Sequence, residues 1–420
     1  MPDSSAIINL DDQRRLSDLR KMLAVSDKGA VLSNISNLTL IIAHDPELSG
    51  MCGHDDFQCL DVIHHPAPAP IDGANPMPGP YPRAWGPADV SHVQSYIQRI
   101  WAGTAKKGDV EDAMVSVCSM RRFHPIKDWL DGLKWDGKPR LNDWLRKTFG
   151  AEDTYYVRDV AACFLIAAVR RVRQPGVKFD HMPVLEGGQG IGKSTAVKTL
   201  FGEEFFTDSL PSDLEGKDAA LGLQGAWCVE FAEIEQLIRA EVEVIKAFLS
   251  RSVDRFRAPY GRTFLSYPRQ SVMIGTTNDT DYLRDATGNR RFWPVRCQFV
   301  ELEWLQENRE QLWAEAAQCE SEGQAHWIRE HDSLIQAAKA QEERQQEDVW
   351  DDKISTFTAG RAEITTGEIL EYALFIPTER QGKREQMRAS SVLKKQGWKR
   401  TTIWKGTKAA KVWVRGEGHE

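Results

Sequence analysis

Glu186-Gly187-Gly188-Gln189-Gly190-Ile191-Gly192-Lys193-Ser194 carries the spacing G-x-x-x-x-G-K-S in full, and that spacing is the chemistry of phosphate binding. Glycines allow a tight loop whose amides, with the N-terminus of a following helix, solvate phosphate oxygens. Lys193 then neutralises the terminal phosphates, and Ser194, followed by Thr195, offers a hydroxyl to magnesium. The flanks agree: Met182-Pro183-Val184-Leu185-Glu186 reads as a short apolar strand, and the residues after Ser194 have helical spacing. ATP and Mg2+ are therefore the expected cofactors, with residues 187–195 holding the nucleotide.

A hydrolase of this type needs a carboxylate on a neighbouring strand to hold metal through water or to polarise the attacking water. Ala226-Trp227-Cys228-Val229-Glu230-Phe231-Ala232-Glu233 supplies it; Glu230 closes the apolar run and is the first choice, with Mg2+ between it and Ser194. Glu233 is either a second catalytic acid or an ordinary helix-start acid. A further strand over 270–275 ends in Thr276-Thr277-Asn278, which makes Asn278 the candidate sensor of the γ-phosphate. Arg290 and Arg291 stand side by side and could stabilise transition-state charge in a neighbour's site, or form a plain ion pair. Between acid and sensor, residues 246–269 are basic and aromatic, with a hairpin tip at Pro259-Tyr260-Gly261-Arg262. Arg255, Arg257, Tyr260 and Arg262 suit the phosphates and bases of a single strand, with internal ion pairs or intersubunit packing as the alternative.

The elements that must position these groups fall into six segments. A small module over 1–64 precedes a proline-rich linker, 65–87, whose prolines remove backbone donors. Helical spacing marks a domain over 88–176, ended by Gln174-Pro175-Gly176. The nucleotide core occupies 177–300, a helical lid or arm 301–350, and a basic module 351–420. The whole chain, 420 residues with 41% hydrophobic and 27% charged residues, belongs with globular proteins of two or three domains. No uncharged apolar run approaches the roughly 18 residues of a membrane span, and the charged first twenty residues do not resemble a secretory signal. The expectation is a cytoplasmic protein with no membrane partner. Seven scattered cysteines fit reduced thiols. Cys52, His54, Cys59, His64 and His65 lie close together, but their spacing matches no zinc pattern.

Charge is distributed unevenly. From Arg380 to Arg415 twelve basic residues stand against Glu385 alone, a net of +11, while the rest of the chain carries −18. Residues 365–413 read as helix, basic helix and two strands, a winged-helix-like order, whose second helix suits a DNA groove. Arg384, Arg388, Lys394, Lys395, Lys399 and Arg400 are the candidate DNA contacts.

Six lines in order, HPIKDWLDGLKWDGKPRL, PGVKFDHMPVLEGGQGIGKST, WCVEFAEIE, IKAFLSRSVDRFRAPYGR, PRQSVMIGTTN and YLRDATGNRRFWPV, together resemble the virulence-associated E (VirE/VapE) family of phage, prophage and satellite replication proteins. The resemblance spans about half of the chain. It implies an α/β fold with a P-loop AAA+ core of the superfamily-3 helicase kind, a ring-shaped, usually hexameric assembly, and ATP sites between subunits. It also implies the acid role for Glu230 and Glu233, the sensor role for Asn278 and a finger role in trans for Arg290 or Arg291. The acids are spaced E-x-x-E here, unlike the adjacent acids of other superfamily-3 helicases, so their division of labour stays open. Longer relatives carry a primase-polymerase domain ahead of this core; the module over 1–64 has no paired-aspartate signature, so a separate primase is the expected partner. The function this reading expects is an ATP-dependent DNA helicase or replication-initiation ATPase of a mobile element. Its rivals are a DNA translocase that does not unwind and a nucleotide-gated DNA-binding switch.

Overall fold

The computed structural model describes residues 10–69, 79–209, 211, 213–256, 265–283, 289–344, 350–405 and 408–415. The hairpin-tip candidates Arg257, Tyr260 and Arg262 lie outside them.

The chain opens with α1 (Leu10–Met22) and α2 (Ile35–His44), the latter capped by the Asn34 side chain on Asn37 N. A small sheet follows from β1 (Cys52–Asp55), β2 (Leu60–Ile63) and β3 (Arg83–Ala84), then α3 (Pro87–Ile100), α4 (Lys107–Met120) and β4 (Arg122–Phe123), in strand order β3-β2-β1-β4. Leu38, Ile41 and Ile42 of α2 share one apolar cluster with Val93 and Ile97 of α3 and Val110, Met114 and Val117 of α4. The buried Asp45 carboxylate closes that cluster, accepting from Tyr96 OH at 3.0 Å and Trp101 Nε1 at 2.8 Å. These contacts correct the expected separation at the proline-rich segment. Residues 88–120 build their core with the amino-terminal module, because α3 and α4 find apolar partners there, and β3 pairs back onto β2. Proline density marks where ladders stop; it says nothing about which cores join.

Next come α5 (Pro125–Gly132), α6 (Trp144–Phe149) and α7 (Tyr155–Arg173), capped by the Thr154 side chain on Val157 N. The central elements are β5 (Met182–Glu186), α8 (Lys193–Phe201), β6 (Phe206–Thr207), α9 (Lys217–Gly222), β7 (Cys228–Phe231) and α10 (Ile234–Ser250). The hairpin β8 (Val253–Phe256) and β9 (Leu265–Pro268) leads into β10 (Val272–Thr277) and β11 (Phe292–Arg296). Five of these strands form a wholly parallel sheet in the order β11-β5-β10-β7-β6. Parallel strands are buried on both faces, which is why they read as unbroken apolar runs. Leu185, Ile274 and Val295 face α7 and α8, while Val184, Met273 and Phe292 face Ile234, Ile238 and Ile245 of α10. The chain is thus a mixed α/β protein with helices on both faces of a parallel sheet.

α11 (Leu302–Ser321) and α12 (His331–Glu343) correct a second expectation. They form no projecting arm. Leu305, Leu312, Trp313 and Ala316 fall on one face of α11 and bury against α7 and α8. Trp313 Nε1 donates to Leu200 O at 2.8 Å and its ring meets Trp227 at a 4.2 Å centroid distance, so both indoles keep a hydrogen bond while buried.

The carboxy-terminal part runs α13 (Asp351–Thr358), β12 (Glu363–Ile364), α14 (Thr366–Glu368) with a following wide turn, α15 (Lys383–Lys395), β13 (Trp398–Lys405) and β14 (Lys408–Arg415). Its three strands order β12-β14-β13, and Ile354, Ile369, Leu370, Ala389, Val392, Leu393 and Trp413 form its own core.

Candidate functional site

The loop after β5 turns through Gly190 (φ +79°) and Gly192 (φ +97°), conformations that glycine adopts without strain, and delivers Lys193 to the first turn of α8. Gly187 is required for a different reason: a Cβ there would stand 2.7 Å from Cys297 O, because the chain leaving β11 presses on the loop. Lys193 Nζ donates to Gly187 O at 2.6 Å, Gly188 O at 3.0 Å and Asn278 Oδ1 at 3.2 Å. Burial draws its pKa below the ordinary lysine value.

Ser194 Oγ donates to Glu230 Oε1 at 2.6 Å, and Thr276 Oγ1 donates to the same oxygen at 2.6 Å. β10 lies between β5 and β7, with Ile274 opposite Glu230, and this register sets Thr276 beside the carboxylate. Glu230 is 1% exposed, and its Oε2 has no hydrogen-bond partner among the described residues. A buried carboxylate oxygen without a donor is costly, and a water-ligated cation at that oxygen would satisfy it. Ser194 and Glu230 thus have the donor chemistry for magnesium, and the glycine loop has the amides for phosphates. Thr195 follows on α8.

Glu233 occupies a different position. It starts α10 in the left-handed region (φ +48°) and is exposed, while the Ser194 bond goes to Glu230. The two arginines also separate. Arg291 turns inward, with Nε 3.1 Å from Ser250 Oγ and 3.5 Å from Asp180 Oδ2. Arg290 is exposed, and its carbonyl meets His181 Nδ1 at 3.1 Å.

Arg255 is exposed on β8, opposite Ser266. The base of that hairpin is fixed by a buried ion pair, Arg269 to Asp254 at 2.9 and 2.7 Å. On the carboxy-terminal part, Arg384 lies on α15, and Lys394, Lys399 and Arg400 are exposed. Arg388 and Lys395 are exposed as well, and each also has a neighbour within the chain. The Arg388 guanidinium lies 4.1 Å from the Trp350 ring centre, and Lys395 Nζ is 3.0 Å from Asp351 Oδ2, because α15 packs on α13.

Sequence reasoning missed the support beneath the loop. Glu186, the last residue of β5, is 2% exposed and accepts from Arg344 Nε and Nη2 at 2.8 and 2.9 Å and from Tyr282 OH at 2.8 Å. A charged residue closing an apolar strand was the available signal; Arg344, so distant in sequence, had none. Beside Arg344 a cleft of about 330 Å3 opens between Tyr156, Pro294, Arg296 and Lys339, and none of the residues picked from the sequence lines it. Among the described residues no group of three or more His, Cys, Asp or Glu is placed to hold a metal ion, and no helix is long and apolar enough to cross a membrane. His54 of the Cys/His cluster pairs instead with Asp61 at 2.6 Å.

A parallel sheet with a glycine loop at one strand end and a buried acid two strands away defines an α/β protein with a candidate phosphate site. The chain belongs to the virulence-associated protein E-like domain family, whose model matches residues 130–347, a little over half of its length. Among solved structures it is similar to the apo C-terminal region of NrS-1, with 13% identity, TM-score 0.40, and coverage of 87% of this chain and 96% of that one. An A-form apo structure of the same region gives 14% identity, TM-score 0.38, and coverage of 68% and 78%. No curated protein matches.

Proposed function

We propose that the protein is a magnesium-dependent ATPase with a P-loop AAA+ core of the superfamily-3 kind, acting as a DNA helicase or replication-initiation motor of a phage or mobile element. The observation that carries this reading is the meeting of Ser194 and Glu230 at 2.6 Å, with Lys193 anchored to the loop beside them. The run carrying loop and hydroxyl and the strand carrying the acid are separate in sequence and converge at one end of the parallel sheet, where α/β proteins bind ligands.

In this reading residues 187–195 wrap the phosphates, and Lys193 exchanges its loop carbonyls for phosphate oxygens. Magnesium, held by Ser194 and by Glu230 through water, would neutralise charge on the phosphates. Glu230 polarises the attacking water, held in orientation by Thr276, and Asn278, already 3.2 Å from Lys193 Nζ, reads the γ-phosphate. Arg290, exposed where Arg291 is tied down, is the better candidate to reach a neighbour's nucleotide in a head-to-tail ring. The hairpin carrying Arg255, and α15 and β13 presenting Lys394, Lys399 and Arg400, would meet DNA. The order helix, strand, helix, helix, strand, strand in that last part supports a winged-helix-like module.

The test is the steady-state ATPase rate of the full chain with no DNA, single-stranded DNA and duplex, with oligomer mass recorded. Stimulation by single strands in a hexamer-sized species is the expected result. A slow rate indifferent to DNA would replace the motor with a nucleotide-gated switch, and stimulation by duplex without unwinding would replace it with a translocase.

A further inference from the structure

We infer that Phe299 is the stacking platform for the base of the nucleotide, a specificity contact within the site proposed above and dependent on that proposal. Phe299 is a large apolar side chain left 50% exposed, on the segment that leaves β11 and passes the phosphate loop. Both of its surroundings in the chain touch that loop. Two residues before it, Cys297 O packs against Gly187; one residue after it, Val300 is 3.7 Å from where a Cβ of Gly192 would be.

The segment is held rigidly. Cys297 N donates to Glu186 O at 2.6 Å, Gln298 N to Phe149 O at 2.9 Å and Glu301 N to Thr148 O at 2.7 Å, so Phe299 is bracketed by backbone bonds to two different elements. The ring rests on Gly150, which caps α6 in the left-handed region at φ +62°. A Cβ at Gly150 would fall 2.6 Å from the Phe299 ring, so the glycine provides the flat seat as well as the turn. The ring is thus packed against the end of α6 yet stays half exposed, on a segment whose neighbouring residues touch the loop. A nucleotide whose phosphates occupy residues 187–195 must project its base out of that loop. An aromatic ring already ordered at the loop's edge can take the base by stacking with little loss of side-chain freedom. Purines, with more stacking area than pyrimidines, would gain most.

The experiment compares binding of ATP and of inorganic tripolyphosphate, both with Mg2+, to the full-length protein and to Phe299→Ala, Phe299→Tyr and Lys193→Ala. Base stacking on an aromatic side chain predicts that Phe299→Ala weakens ATP binding about tenfold. Tripolyphosphate binding should stay within about twofold of the unsubstituted protein, and Phe299→Tyr should restore ATP affinity. Equal loss of both ligands, or no loss of ATP in Phe299→Ala while Lys193→Ala abolishes it, overturns the stacking role alone. If the unsubstituted protein binds neither ligand, or Lys193→Ala binds both as well, the phosphate site itself fails and the stacking role falls with it.

Discussion

Ser194 and Glu230 touch directly, hydroxyl to carboxylate at 2.6 Å, although the helix carrying Ser194 follows β5, and β10 separates that strand from β7, which carries Glu230. A cation entering between them must break a short hydrogen bond, and it gains the second carboxylate oxygen, which has no donor among the described residues. Glu230→Gln removes the charge while keeping shape. Turnover should fall by about 100-fold or more with nucleotide affinity kept within severalfold, as expected of a group acting on the transition state. Glu233→Gln, at an exposed helix start, should cost much less. A Glu230→Gln enzyme turning over at the wild-type rate would falsify the assignment of this acid.

Lys193→Ala tests the loop. The side chain is buried and its charge is held by loop carbonyls and Asn278. Without it, nucleotide turnover should be lost by roughly 100-fold or more. Circular dichroism and the melting temperature should stay close to wild type, since the glycine turns remain. Retained turnover would remove the site from consideration.

The two arginines should separate cleanly in paired measurements. Arg291→Ala breaks contacts to Asp180 and Ser250 within its own chain and is expected to lower the melting temperature. Arg290→Ala should leave stability unchanged and ATP binding intact, yet reduce turnover. Mixing Arg290→Ala with Lys193→Ala protein should recover activity if the arginine serves a neighbour's site; no recovery at any ratio argues against action in trans.

The hairpin base offers a stability test. Asp254 and Arg269 are buried together, and Arg269 also donates to Phe248 O at 2.6 Å. Asp254→Ala leaves a buried guanidinium without its counter-charge, a loss of about 3 to 5 kcal/mol, read by urea denaturation. Arg255→Ala, exposed on the same hairpin, should move the denaturation midpoint much less than Asp254→Ala while weakening any single-strand stimulation of turnover.

His326 predicts an acid limit to stability. Its ring is buried between α7 and the segment before β5, with Nδ1 2.7 Å from Arg170 Nη1 and Nε2 3.1 Å from Lys178 O, and burial lowers its pKa to about 4. The unfolded chain, near the ordinary value of about 6.5, therefore takes up its proton first as pH falls. Stability from this residue is complete above about 6.5 and declines progressively toward pH 4. The unfolding midpoint of His326→Gln should fall less steeply over that window; parallel profiles would assign the acid sensitivity elsewhere.

What the sequence determined by itself was local chemistry. The run from Glu186 to Ser194 and the apolar strands ending at Glu230 and Asn278 could be read because a phosphate loop and a parallel strand are each specified by a few adjacent residues. The family followed from the same lines. Tertiary structure alone decided the pairings made across long separations. Arg344 reaches Glu186, α3 and α4 join the amino-terminal core, and α11 becomes a wall of the central one because each apolar face takes whichever partner the topology brings to it. Packing likewise tied Arg291 to Ser250 and Asp180 while leaving Arg290 exposed, and it gave the exposed Arg388 and Lys395 an aromatic and an acidic neighbour. Neighbouring basic residues look alike in sequence; only the presence of an acid or an aromatic ring within reach distinguishes them, and that is a property of the folded chain.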